Sequence, residues 1–212
     1  GFEVALPPRV LCCGRPLYDF GMLDLAERQL RQILDALRDD VRAGVPVVGL
    51  EPSCVATFRD ELPNLLAGDD DARRLAEQTR TLAEVLEEWA AGWEVPRLER
   101  PAIVHGHCHH RAVMGLDADE RVLDRLGLDW RLLDSGCCGM AGAFGYEKGE
   151  KYRVSMTVGE RVLLPEVRKA DPDTLVLADG FSCRSQIAQA TGRRPLHLAQ
   201  VLRMALRERS LR

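Results

Sequence analysis

Two stretches constrain this chain more than anything else in it: LCCGRPLYDFG at residues 11–21 and GCCGMAGAFGY at 136–146. Each places two cysteines side by side before a glycine. Each is followed by a helical pattern, a short apolar run and one lone cysteine. From Cys13 to Cys54 is 41 residues, from Cys138 to Cys183 is 45, and the flanking segments LEPSCVATFRDEL and ADGFSCRSQIAQA match each other. The chain therefore reads as an internal repeat, with halves at residues 1–95 and 96–212 and no Pro-, Gly- or Ser-rich linker between them. In the second half Cys108 precedes the pair by 29 residues. Its counterpart in the first half would fall before residue 1, so the expectation is of a fragment whose first half is truncated at its N-terminus.

Hydrophobic periodicity supplies the architecture. LDLAERQLRQILDALRDDVRAG carries Leu30, Ile33, Leu34, Leu37 and Val41 on one face and predicts a helix closed by Gly44. DARRLAEQTRTLAEVLEEWAAG predicts a second long helix. A short helix is expected around ERVLDRLG, another in TVGERVLLPEVRKA opened by a Thr157/Glu160 capping box, and a closing one in PLHLAQVLRMAL. Short apolar runs at RVL, VPVVGL, RPAIVHGH, DWRLLDSG and DTLVLADGF predict strands. Alternating strands and helices give an α/β fold with mainly parallel strands, expected as two tandem Rossmann-like halves. Every cysteine position then lies just past a predicted strand, at the carboxyl edge where open α/β sheets gather ligands.

The seven cysteines are Cys12, Cys13, Cys54, Cys108, Cys137, Cys138 and Cys183. An odd number without a secretory signal argues against a disulfide framework. Four of them, Cys108, Cys137, Cys138 and Cys183, belong to the second half, and iron–sulfur clusters and structural zinc both take four thiolates. Zinc usually uses C-x2-C pairs, which are absent; adjacent cysteines suit a larger cluster whose irons they can reach separately. The spacing favours iron–sulfur, with zinc and a thiol–disulfide redox pair at Cys137/Cys138 as alternatives. Gly139 lets the backbone approach such a centre. HGHCHH at 105–110 gathers four of the five histidines. His107 and His109 flank Cys108 and are candidate outer-sphere groups or alternative ligands. Arg184, Glu51 and Asp179 beside the lone cysteines read as local hydrogen-bonding groups, with tuning of the centre as the lesser role, and Phe144 and Tyr146 as core. No catalytic residue stands out. A net charge of −4 points away from nucleic acid and anionic membrane surfaces, and no apolar run approaches the ~20 residues of a membrane span.

GCCGMAGAFGYE, VGLEPSC, HGHCHH and ADGFSC together resemble the cysteine-rich CCG domain. That family occurs in heterodisulfide reductase, in the iron–sulfur components of glycolate oxidase and anaerobic glycerol-3-phosphate dehydrogenase, and in fusions of an FAD-linked D-lactate-type dehydrogenase with a ferredoxin module. The wording here is nearest the tail of those fusions. The resemblance implies an electron-transfer domain passing electrons from a flavin to a downstream acceptor. Its partners would be flavin dehydrogenase and ferredoxin modules of the same polypeptide, with FAD held elsewhere in the full protein. The implied location is cytoplasmic or peripheral at the inner face of the membrane. By position, Cys108, Cys137, Cys138 and Cys183 match one half's ligands, and Cys12, Cys13 and Cys54 the other's, minus its first. Heterodisulfide reductase adds a C-x2-C at the end of a half. Here Gln186 and Thr57 stand where the extra cysteine would be, so the resemblance implies an ordinary [4Fe–4S] cluster in the second half.

Overall fold

The computed structural model describes residues 1–211, which form two compact units: Gly1–Gly49 with Ser53–Arg80, and Leu50–Pro52 with the described residues from Thr81 onward. The first is built on a long amphipathic helix. After an irregular stretch come α1 (Arg15–Asp19) and α2 (Leu23–Arg42). Strand β1 (Val47–Gly49) pairs with β2 (Thr79–Thr81). Between them lie α3 (Pro52–Ala56), a π-helical stretch Thr57–Glu61, α4 (Leu62–Leu65) and α5 (Asp70–Gln78). Leu30, Ile33, Leu34 and Val41 of α2 bury their shared face against Leu62, Leu66, Ala72 and Leu75. Asp71 locks α5 to α2 through Arg42 at 2.8 Å, with Arg74 at 3.2 Å on its own helix.

The second unit is a small parallel sheet covered on both faces. Its strands, β3 (Pro101–Val104), β4 (Asp129–Leu132) and β5 (Leu175–Leu177), stand in the order β4-β3-β5 and all run the same way. Parallel neighbours need crossovers. These are α7 (Asp117–Arg125) between β3 and β4, and α8 (Glu150–Gly159) with α9 (Leu163–Lys169) between β4 and β5. Helix α6 (Leu82–Trp89) precedes the sheet, and α10 (Phe181–Thr191) and α11 (Leu198–Ser210) follow it. Side chains alternate across each strand. Ala102, Leu175 and Leu177 therefore enter one core with α6, α7 and α11, while Ile103, Val176 and Ala178 enter another with Leu163, Leu164, Val167 and Ile187. Burial on both faces is what parallel sheets require.

The α/β class with parallel strands is as expected. Three local readings are corrected. The run at Arg9–Leu11 forms no strand; Val10 is fully exposed, so nothing packs against it. The long helix over residues 71–92 is two, because Thr79 and Thr81 turn the chain extended. Thr79 Oγ1 donates to the Leu75 carbonyl at the end of α5, and Thr81 opens α6 with a capping box to Glu84. The Thr157/Glu160 box does not form: Thr157 lies inside α8 donating to the Arg153 carbonyl, and Glu160 pairs with Arg168. β-branched threonines at alternate positions mark the break that hydrophobic period alone passes over.

The capping box gives a stability prediction. Thr81→Ala removes the acceptor for the Glu84 N–H and should cost about 1 kcal/mol, lowering the midpoint of thermal unfolding by about 3 °C. Thr81→Ser, which keeps the hydroxyl, should recover most of that loss.

Candidate metal centre

The register of the sheet aligns its carboxyl ends. Val104 sits opposite Leu132 on one side and Leu177 on the other. Cys108, Cys137 and Cys183 follow those three residues by four, five and six positions, and Cys138 adjoins Cys137. The four sulfurs meet in a chain: Cys108 contacts Cys137, Cys137 contacts Cys138, and Cys138 contacts Cys183. Cys138 and Cys183 are buried, Cys108 and Cys137 half-buried, and no disulfide links any cysteine among the described residues.

Crowding forces the protons apart. Hydrogen bonds from the Cys108 and Cys138 thiols, with the Gly139 N–H 3.3 Å from its sulfur and His105 nearby, pull Cys137 from 9.0 down to about 2. The Cys138 thiol and then His105 pull Cys183 down to about 6. Cys108 and Cys138, as donors, are pushed up, chiefly by Cys137. Four sulfurs this close cannot all ionise unaided. A cation shared among them would release the remaining protons, which is how thiolate sites couple metal binding to deprotonation.

Gly139 shapes the turn that carries the pair. Its φ is +98°, and a Cβ there would stand 2.2 Å from the Ser155 carbonyl oxygen. Gly14, after the first pair, has the same left-handed sense at φ +78°. In that first unit Cys13 is buried and touches Cys54; the Cys54 thiol, followed by the Arg15 N–H and the Thr57 hydroxyl, lowers it to about 6. Cys12 is exposed. Beside this pair the buried Arg15 guanidinium meets Glu61 at 2.5 Å. The two residues standing where a further cysteine could have been are both buried. Thr57 Oγ1 donates to the Ser53 carbonyl at 2.8 Å, and Gln186 Nε2 reaches Ser155 Oγ at 3.3 Å and the Cys138 carbonyl at 3.5 Å.

Among the histidines, sequence reasoning did not single out one that lies against the sulfurs. A ring nitrogen of His105 lies within 4.8 Å of the Cys138 and Cys183 sulfurs. Its Nδ1 is 2.7 Å from Ser135 Oγ, and its Nε2 is buried without a hydrogen-bond partner. Parity along β3 could have found it, since His105 shares the face of Ile103, whose core includes Cys138 and Cys183. His107 is buried against Gly180, where a Cβ would stand 2.3 Å from the His107 ring and 3.2 Å from the Cys183 sulfur. Burial, reinforced by His109, His105 and His110, drops His107 to about 3, so it is neutral at pH 7. His109 packs edge-on against it at 5.4 Å and turns its backbone N–H toward Cys108. Arg184 gives its guanidinium to the carbonyls of Ala178 and Asp179, and Glu51 accepts the Phe181 N–H at 2.8 Å; both are local hydrogen-bonding groups. Phe144 is half-buried under the Lys151 ammonium, and Tyr146 is exposed rather than part of the core, because the Gly145 turn sends its ring outward.

No family model matches the chain. Individual relatives do. The chain is similar to dehydrogenases. Over 213 residues, 97% of its length, it is 33% identical to one subunit of the anaerobic glycerol-3-phosphate dehydrogenase of Escherichia coli K12, covering 52% of that protein. It is 32% identical over 194 residues to the D-2-hydroxyglutarate dehydrogenase of Pseudomonas putida, covering 18% of it. It is 29% identical over 218 residues to lactate utilization protein A of Geobacillus kaustophilus, covering 86%. The chain thus spans about half the length of the first relative and under a fifth of the second.

The turn predicts a contrast between two glycines. Gly139→Ala combines a strained φ with a backbone clash and should lower the unfolding midpoint by roughly 5–10 °C, equivalent to about 3 kcal/mol. Gly136→Ala, at φ +60° with open space around its Cβ, should cost about 1 kcal/mol.

Proposed function

We propose that the chain is an iron–sulfur electron-transfer domain of a larger flavin-linked oxidoreductase acting on 2-hydroxy acids or comparable substrates. The observation that carries this reading is the meeting of Cys108, Cys137, Cys138 and Cys183 at the carboxyl ends of β3, β4 and β5. These four would hold a [4Fe–4S] cluster, whose chemistry is one-electron transfer. The donor set fits: four soft sulfurs, glycines at 139 and 180 that let the centre be approached closely, and backbone N–H groups facing sulfur. The chain's own residues exclude water from Cys138 and Cys183 and hold the loop through Gln186. Cys12, Cys13 and Cys54 form the corresponding set in the first half, one short of four.

Similarity to a dehydrogenase and to a dehydrogenase component supports the redox role. In the full protein FAD and substrate would sit in other segments, with a ferredoxin module or another downstream acceptor taking the electrons. The halves at 1–95 and 96–212 would each be one CCG unit. The domain would work in the cytoplasm or at the inner face of the membrane; no helix among the described residues is long and apolar enough to cross one. A second reading is zinc, favoured by the N/S set His105, Cys138 and Cys183.

Anaerobic reconstitution with iron and sulfide, followed by quantification, separates the two. The cluster reading expects about four irons and four sulfides per second-half site, brown colour, and near-complete loss in Cys108→Ser or Cys183→Ser. Zinc uptake with no sulfide retained would overturn it.

A further inference from the structure

We infer that His105 is a positioning residue for the sulfur centre: its Nε2–H is the hydrogen-bond donor to the Cys138–Cys183 side, and Ser135 holds the ring for that task. The inference rests on the cluster reading and adds to it a residue outside the four cysteines.

His105 occupies the middle of the site. β3 lies between β4 and β5, and His105 extends it by one residue, its N–H bonding the Leu177 carbonyl at 2.8 Å. The backbone of the residue is therefore fixed by the sheet. Its side chain is held by a different strand end, for Nδ1 lies 2.7 Å from Ser135 Oγ, three residues past β4. With Nδ1 taken by Ser135, Nε2 is the nitrogen left for the Cys138 and Cys183 sulfurs, which lie within 4.8 Å of the ring's nearer nitrogen. The residue is only 2% exposed, and Nε2 has no hydrogen-bond partner. A buried donor left unmet is destabilising, and a negatively charged sulfur centre would satisfy it.

Electrostatics selects the tautomer. A lone pair on Nε2 would face the negative sulfurs of a bound centre, whereas a proton there is attracted to them. Ser135 can accommodate that choice, because a hydroxyl donates to Nδ1 as readily as it accepts from it. The ring is thus a donor and not a ligand, and four cysteines already satisfy a four-iron cluster. A donor aimed at sulfur favours the reduced form, where sulfur carries more negative charge, and so raises the reduction potential. His107 has a different setting: its Nδ1 accepts from the His109 N–H at 3.2 Å.

The test uses the anaerobically reconstituted chain with His105→Leu, His105→Gln and Ser135→Ala. Iron and sulfide content, midpoint potential and weak 14N coupling in pulsed electron paramagnetic resonance are read for each. His105→Leu should keep its iron and sulfide. At the potential where the parent cluster is half reduced, its reduced-to-oxidised ratio should fall about tenfold, a shift of about 59 mV for a one-electron couple, and the weak 14N signal should vanish. His105→Gln, which retains an N–H, should recover part of the shift, and Ser135→Ala should move the potential the same way by less. An unmoved potential in His105→Leu and Ser135→Ala overturns the inference and leaves the cluster reading standing. So does a strong 14N coupling, or loss of iron from His105 variants that remain folded by circular dichroism, since either makes the ring a ligand. A parent chain that takes up no iron and sulfide overturns both readings.

Discussion

Parallel pairing with aligned ends is the constraint on which the second unit's site depends. With Val104 level with both Leu132 and Leu177, the segments leaving β3, β4 and β5 start from one line. A slip of one residue in either pairing would turn that strand's side chains to the opposite face. It would send Val176 and Ala178 into the wrong core and carry the start of α10, with Cys183, out of place. The register is held by the two cores, each taking alternate residues of β3 and β5.

Bringing four thiols together has an electrostatic cost, and the structure shows how it is met. Protons localise on Cys108 and Cys138, and charge on Cys137 and Cys183. Backbone and imidazole groups then stabilise the charged pair: the Gly139 N–H at Cys137 and His105 beside Cys183. Turn geometry makes this possible. A side chain at 139 would displace α8 at Ser155, so the close approach of helix to loop and the N–H directed at sulfur have one origin.

The two copies of the repeat keep the contact and change its surroundings. Cys13 meets Cys54 as Cys138 meets Cys183, each pair reached through a glycine of positive φ. Arg15, paired with Glu61, replaces apolar Met140. Thr57 and Gln186 both turn a buried position into a bracket on the backbone. The copies therefore share a scaffold for sulfur but differ in charge around it, with a cation next to the first pair and a methionine thioether next to the second.

Cysteine spacing, the internal repeat and the alternation of apolar runs were enough to give an α/β chain with five of its seven thiols past strand ends, because hydrophobic period and turn glycines act over a few residues. They also marked α2 and the three strands of the second unit. Hydrophobic period does not report caps and turns, so the split of the helix at Thr79–Thr81, set by the Thr79–Leu75 bond and the Thr81–Glu84 box, and the outward ring of Tyr146 were not legible from it. His105 shows the division most clearly. The sequence placed it in a histidine-rich turn on the strand face of Ile103, but its choice over His107 and His109 came from a serine thirty residues away, which only tertiary structure brings to it.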